Sequence, residues 1–272
     1  MTASVLITRR MMLRDMGKAG LAMMLLGTAA CTSEGTDDGS TLAAPGTTST
    51  GAPVTSTTEE SVTTTSATAA TTTTSSGGRV WHRVNLDFVS AYIVYRGGEA
   101  AVVDTGVGGS ETAIETGLGE IGLGWGDVGH VVATHKHPDH AGSLEAVIAA
   151  TGAPWYAGAA DIPAINASTE GTPLASGVTI FGLQAIETPG HTPGHICMLD
   201  AAAGVLIAGD ALNGSEGGVG GPNPQFSEDI DLANASVETL ATFDYEVALF
   251  GHGEPLLTGA SVAVADLAAS LG

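Results

Sequence analysis

The chain has 272 residues, and its 29 acidic groups outnumber eight basic ones for a formal net charge of −21. Residues 1–30 contain Arg9, Arg10, Arg14 and Lys18 but only Asp15 among the acidic groups, so the remainder holds four basic and 28 acidic residues. A chain this acidic repels phosphate backbones and anionic headgroups over a Debye length, which argues against nucleic acid as partner or substrate. A small-molecule substrate is expected, with the acidity serving solubility.

In chain order, residues 1–30 run from basic residues through a short apolar stretch to small residues before Cys31. This is the three-part order of an export signal, and its apolar stretch is too short to span a bilayer. TRRMMLR (8–14) resembles the twin-arginine export signal, with Arg9 and Arg10 as the pair. Thr28-Ala29-Ala30 ahead of Cys31 resemble a lipoprotein processing site, which predicts lipidation of Cys31 and membrane contact through that anchor only. Residues 31–78 are dominated by Thr, Ser, Ala and Gly, as in TTTSATAATTTTSSGG (63–78). They bury too little apolar surface to offset their ordering entropy, so a disordered tether is expected. Residues 79–272 remain as a single domain with a real core. Cys197 lies in the apolar run HICML and reads as an inert buried thiol.

Within the domain, VSAYIVYR (89–96), Gly97-Gly98 and EAAVVDTG (99–106) predict a hairpin that runs into a loop. A helix is expected over 110–122, a strand over HVVATH (130–135), and a helix over 141–152 with Leu144, Val147 and Ile148 on one face. Strands follow over 179–187, 195–200 and 204–210, and the glycine-rich stretch after Asp210 reads as a flexible loop beside the site. A helix over 231–243, a strand over 246–251 and a helix over 259–271 complete an α/β layered body.

The chemistry concentrates at strand ends. THKHPDHAG (134–142) packs three histidines and an aspartate into six residues. His135 and His137, one residue apart, can face a common point, and Asp139 and His140 a second one nearby; imidazole and carboxylate are the donors that zinc and similar dications take. TPGHTPGH (188–195) presents His191 in a proline-stiffened loop, while AGD (208–210) and FGHGEP (250–255) end apolar strands with Asp210 and His252. His195 reads as support for its loop, His82 and His130 as structural, and Lys136 as solvated.

This set resembles the metallo-β-lactamase superfamily, nearest the branch with hydroxyacylglutathione hydrolases and acyl-homoserine-lactone lactonases, over essentially all of 79–272. The resemblance implies an αββα sandwich with the site at the edge of two sheets. It implies one metal on His135, His137 and His191, another on Asp139, His140 and His252, and Asp210 bridging them. Asp104, in VVDTG, matches a position that supports ligand histidines from behind. Two zinc ions are expected, with iron or manganese as alternatives. Between them a water loses its proton near neutral pH and attacks a polarised carbonyl, with Asp139 positioning it as a catalytic group. Few basic residues remain to hold an anion, so a small ester, thioester or lactone is expected. The rivals are a mononuclear iron persulfide dioxygenase using His135, His191 and Asp210, a β-lactamase, which Asp210 disfavours, and a non-catalytic metal-binding module.

Overall fold

The computed structural model describes residues 72–74, 80–215 and 218–271. The export signal expected over 1–30, Cys31, and all but three residues of the tether expected over 31–78 lie outside the described residues. Strands β1 (Thr72–Thr74), β2 (Val80–Leu86), β3 (Val89–Arg96) and β4 (Glu99–Val103) form an antiparallel meander. Helix α1 (Glu111–Glu120) crosses to β5 (Val128–Val132), and α2 (Pro138–Ala141) and α3 (Leu144–Thr151) lead to β6 (Trp155–Ala157) and β7 (Thr172–Pro173), each parallel to its neighbour. A five-stranded sheet follows from β8 (Thr179–Ile180), β9 (Leu183–Glu187), β10 (Ile196–Asp200) and β11 (Val205–Gly209). After the hairpin β12 (Asn213–Ser215) and β13 (Gly218–Gly220) and helix α4 (Ile230–Leu240), β14 (Val247–Phe250) joins that sheet parallel to β11, and α5 (Ala260–Leu271) ends the chain.

Alternation along the strands builds the layers. On β3, Ala91 and Ile93 face a core shared with α1 and α3, while Tyr92 and Val94 face the opposite sheet. On β11, Val205 and Ile207 meet that same inter-sheet core, while Leu206 and Ala208 pack under α4 and α5. Successive side chains on a strand point to opposite faces, and both faces are covered, so these strands read as nearly continuous apolar runs. The three cores stack as helix, sheet, sheet, helix, which is the αββα sandwich that the resemblance implied. A one-residue slip of β3 would exchange Ile93 for Tyr92, and burial opposes it, since each fully buried side chain of this size is worth about 1.5–3 kcal/mol. Among the described residues no helix is long and apolar enough to cross a membrane.

Several expected boundaries move. The helix expected over 141–152 is α3 over Leu144–Thr151, with Ala141 closing the short α2; between them Gly142 is held so close to the backbone of Pro138 and Gly108 that it leaves no room for a Cβ. The run 179–187 is a tight hairpin, with Phe181 and Gly182 both at positive φ (46° and 71°). The strand expected over 130–135 ends at Val132, which frees Thr134 and His135 for the loop. Part of the loop expected after Asp210 is the β12–β13 hairpin. Thr72–Thr74, inside the expected tether, pair with Val80–His82.

Candidate metal centre

Strands β4, β5, β9, β11 and β14 all deliver their C-terminal ends to one edge of the sandwich. Asp104 follows β4, His135 to His140 follow β5, His191 lies between β9 and β10, Asp210 follows β11, and His252 follows β14. Hence the first sheet supplies one half of the site and the second sheet the other. Three groups of donor atoms converge there: His135, His137 and His191; His135, His140 and Asp210; and Asp139, His140 and His252.

In the first group His137 Nδ1 lies 3.1 Å from His135 Nε2 and 3.0 Å from His191 Nε2. In the other, His252 Nε2 lies 3.4 Å from His140 Nε2 and 3.3 Å from Asp139 Oδ2. Bonds of about 2.0–2.1 Å in a tetrahedral array set neighbouring donor atoms roughly 3.3 Å apart. These spacings therefore fit ligand atoms around an ion. Asp210 stands between the groups, with Oδ1 3.2 Å from His140 Nε2 and Oδ2 3.2 Å from His252 Nε2 and 3.4 Å from His191 Nε2. Oδ1 is buried and makes no hydrogen bond of good geometry, despite its closeness to His140, as suits an oxygen that could face a metal ion.

The outward-facing nitrogens settle the tautomers. Asp104, held at φ 60°, accepts Thr134 N–H at 2.7 Å on Oδ1, and on Oδ2 accepts the Thr134 hydroxyl and His140 Nδ1–H, both at 2.8 Å. Since the Thr134 hydroxyl gives its hydrogen to Asp104, it accepts from His135 Nδ1–H at 3.1 Å. Ser227 donates to Asn223 O at 2.8 Å and so accepts from His191 Nδ1–H at 3.3 Å; His252 Nδ1–H donates to Phe88 O at 2.6 Å. Four Nε2 atoms are thereby aimed inward. One buried aspartate in a left-handed conformation, which Asp tolerates better than most residues, orients two of them.

Charge divides the site. Burial holds His135 well below the ordinary 6.5, helped by the neighbouring His140 and His195, and burial brings His191 down to about 4. These rings stay neutral, the form that ligates. Burial also opposes charge on His140, but the Asp210 and Asp104 carboxylates outweigh it and raise the ring well above 6.5. Hydrogen bonds to Asp139 and then Asp210 lift His252 to about 10. The carboxylates thus favour positive charge at the second position, which suits a cation there.

His195 takes no place in the donor set. Its Nε2 accepts Asp210 N–H at 3.0 Å and its Nδ1 bonds Thr188 Oγ1 at 2.7 Å, while burial holds it neutral with a pKa of about 3. It holds the backbone of Asp210, and Gly209 (φ 50°) permits the approach, since a Cβ there would lie 2.8 Å from His195 Nε2. Lys136, expected to be solvated, instead pairs with Glu228 at 2.6 Å. His82 is buried with Nε2 3.2 Å from Glu120, and His130 packs against Tyr156 and Phe181.

A cleft of about 570 Å³ opens on the centre, lined by His137, Asp139, Asp210 and His252 of the donor groups and by Phe88, Pro138, Asn213, Asn223 and Phe226. Phe88 and Phe226 are 60% and 64% exposed, so two apolar rings flank the entrance. No lining residue is Lys or Arg. Sequence reasoning missed Asp161, Arg83 and Tyr92, which hold the ligand loops from behind; Tyr92 donates to Phe250 O at 2.8 Å. Their partners are mostly backbone groups, which leave no pattern of residue types to read.

Comparison with known proteins places the fold in a family. The metallo-β-lactamase superfamily model matches residues 84–252. The uncharacterized protein YobT of Bacillus subtilis is 31% identical over 147 residues, 46% of this chain and 62% of that protein. A hydroxyacylglutathione hydrolase of Rhodospirillum rubrum is 40% identical over 33% of this chain and 36% of that protein. The thioesterase pkgB of Emericella nidulans is 28% identical over 64% of this chain and 48% of its own length. The chain therefore spans less than two thirds of each of these relatives. Among solved structures, a metallo-β-lactamase family protein of Thermus thermophilus (TTHA1429) superposes with a TM-score of 0.57 at 24% identity, covering 71% of this chain and 79% of that one. Another, TTHA1623 in a di-iron-bound form, does so at 0.53 and 25% identity, covering 65% and 93%.

Proposed function

This chain belongs to the metallo-β-lactamase superfamily, and from that premise we propose that it is a metal-dependent hydrolase of small neutral esters, thioesters or lactones. His135, His137 and His191 would hold one divalent ion, Asp139, His140 and His252 a second, and Asp210 both. The observation that carries this reading is the placement of Asp210, whose oxygens approach nitrogens of both groups at 3.2–3.4 Å. Two such ions, zinc by preference, would supply an acidified water and polarise a carbonyl oxygen.

The chain's own residues supply the rest. Asp139 borders the cleft and can accept the proton of an attacking water. His195 and Asp104 keep the ligands in place, so little reorganisation is needed when charge develops. Among the described residues no Lys or Arg lines the cleft, and Lys136 and Arg83 are engaged by Glu228 and Glu254, so no basic side chain of the described cleft wall answers a carboxylate on the substrate. The apolar rings of Phe88 and Phe226 suit a neutral acyl group. Relatives named as a thioesterase and as hydroxyacylglutathione hydrolases support acyl transfer to water as the reaction class. We also propose that Arg9-Arg10 direct export and that lipidated Cys31 tethers the domain to a membrane.

The test is metal content together with turnover on a panel of esters, thioesters, lactones, β-lactams and glutathione persulfide. About two zinc ions per chain and turnover of neutral acyl substrates are expected. One iron per chain, with oxygen consumed on the persulfide, would replace this reading with the dioxygenase.

A further inference from the structure

Two side chains outside the ligand set grip the ligand loops, and they grip different loops. Asp161 follows β6 and is fully buried. Its sequence context, Asp-Ile-Pro, has the form of a helix start, yet the side chain makes no cap bond to the short turn Ile162–Ala164. Instead Oδ2 accepts Lys136 N–H at 3.0 Å and the Thr192 hydroxyl at 2.5 Å, and Oδ1 accepts Gly194 N–H at 2.8 Å. Lys136 lies between His135 and His137, and Thr192 follows His191. One carboxylate therefore sets the spacing of the two loops that bring those three histidines together. Glycine allows the close approach, because a Cβ on Gly194 would lie 2.8 Å from Asp161 Cγ.

Arg83, on β2, does the corresponding work across the site. Its Nε donates to Ser90 Oγ at 2.9 Å, Nη1 to Glu254 Oε2 at 2.7 Å and Nη2 to Gly253 O at 3.0 Å. Gly253 and Glu254 are the two residues after His252. Glu254 is exposed, so the ion pair by itself contributes little. The planar fork matters more, because two of its donors hold the loop at Gly253 and Glu254 while the third anchors the fork to Ser90. Ser90 N–H adds a bond to Gly251 O at 2.8 Å from the same hairpin.

We propose that Asp161 and Arg83 are positioning residues for different metal positions: Asp161 for His135, His137 and His191, and Arg83 for His252. The two affinities are then set separately. This rests on the two-ion reading above. Removing a group that orients a metal ligand commonly lowers affinity about 10–100-fold.

The experiment uses the full chain, stripped and titrated with Co²⁺, whose visible bands report each position, with Zn²⁺ affinities from chelator competition. His137→Ala and His252→Ala assign the bands. Asp161→Asn is expected to weaken the band that His137→Ala removes by about 10–100-fold, leaving the other within about threefold. Arg83→Met is expected to do the reverse, and Arg83→Lys to recover only part of the loss. Thr192→Val deletes one donor to Asp161 with little threat to folding and should weaken the first position alone, while Thr192→Ser should restore it. If both variants weaken both positions equally, or if neither weakens either, the division is wrong; the Thr192 pair decides the Asp161 half even where Asp161→Asn does not fold. An unaltered chain that takes up no metal overturns the two-ion reading itself, and with it this proposal, before any variant is made.

Discussion

Asp139 faces two tasks that geometry allows one carboxylate to perform. Its Oδ2 lies 3.3 Å from His252 Nε2, within the second donor group, and its side chain also borders the cleft where water must enter. Asp139→Asn keeps the shape and removes the proton acceptor, while His140, His252 and Asp210 remain to hold an ion. Turnover of a good ester or lactone is therefore expected to fall at least about a hundredfold with the fold and much of the metal retained. Near-normal kcat with both ions bound would leave Asp139 a ligand only. Gly251 is constrained in a different way: a Cβ there would strike Asp210 Oδ1 and lie 2.5 Å from His140 Cε1. Its glycine is required by space alone. Gly251→Ala should cost about 1–3 kcal/mol of stability, as overpacking does, and should lower metal content by pushing Asp210 and His140 apart. Full metal content at unchanged stability would show that the site yields more than its packing implies.

Elements were legible where periodicity was long and illegible where a turn depended on one backbone angle. The run VSAYIVYR announces a strand, and Leu144, Val147 and Ile148 announce the buried face of α3, because burial repeats with the period of each structure. The hairpin at Phe181 stayed hidden because a phenylalanine at positive φ carries no turn signal; only Gly182 did. Arg96 lies 4.2 Å from the Phe181 ring centroid and helps hold it there. His82, on β2, shows how an element constrains a titrating group. It is packed beside α1, and burial lowers its pKa below 6.5 although Glu120 acts in the opposite sense. The unfolded chain takes up this proton near pH 6.5 while the folded chain does not until lower pH, so His82 removes stability as pH falls below 6.5. His82→Phe should lose less stability than the unaltered chain between pH 7.5 and 5.5, by at most about 1.4 kcal/mol, the full linkage for one pH unit. Denaturant midpoints at the two pH values measure it, and an equal loss in both proteins would mean that His82 titrates normally in the fold.

At the scale of the molecule, the seven candidate ligands were legible because four fall within six residues, Asp210 and His252 end apolar strands, and His191 stands in the proline- and glycine-rich stretch TPGHTPGH. Their supports were not, because Asp161 and Arg83 reach backbone and side-chain groups distant in sequence, by 25 residues to Lys136 and 170 to Gly253. For the proposed anchor, Cys31→Ser should release the protein from membranes with unchanged turnover, since the proposed Thr- and Ser-rich tether would separate the anchor from the domain. Continued sedimentation with membranes would remove the lipid anchor. The centre itself joins the two halves of the sandwich. His135, His137, Asp139 and His140 follow strands of the seven-stranded sheet, while His191, Asp210 and His252 follow strands of the five-stranded one. An ion shared across that edge binds only when both sheets are in place, so its binding energy is added to folding. At a free concentration a thousandfold above Kd, one ion stabilises by about 4 kcal/mol. For a domain of this size each kcal/mol moves Tm by about 2–4 °C. Chelation should therefore lower Tm by at least about 8 °C by calorimetry, with restoration on adding zinc back. A shift under about 2 °C would mean that the ions do not hold the sheets together, and that hydrogen bonds such as Tyr92 to Phe250 and Arg83 to Gly253 already fix that edge.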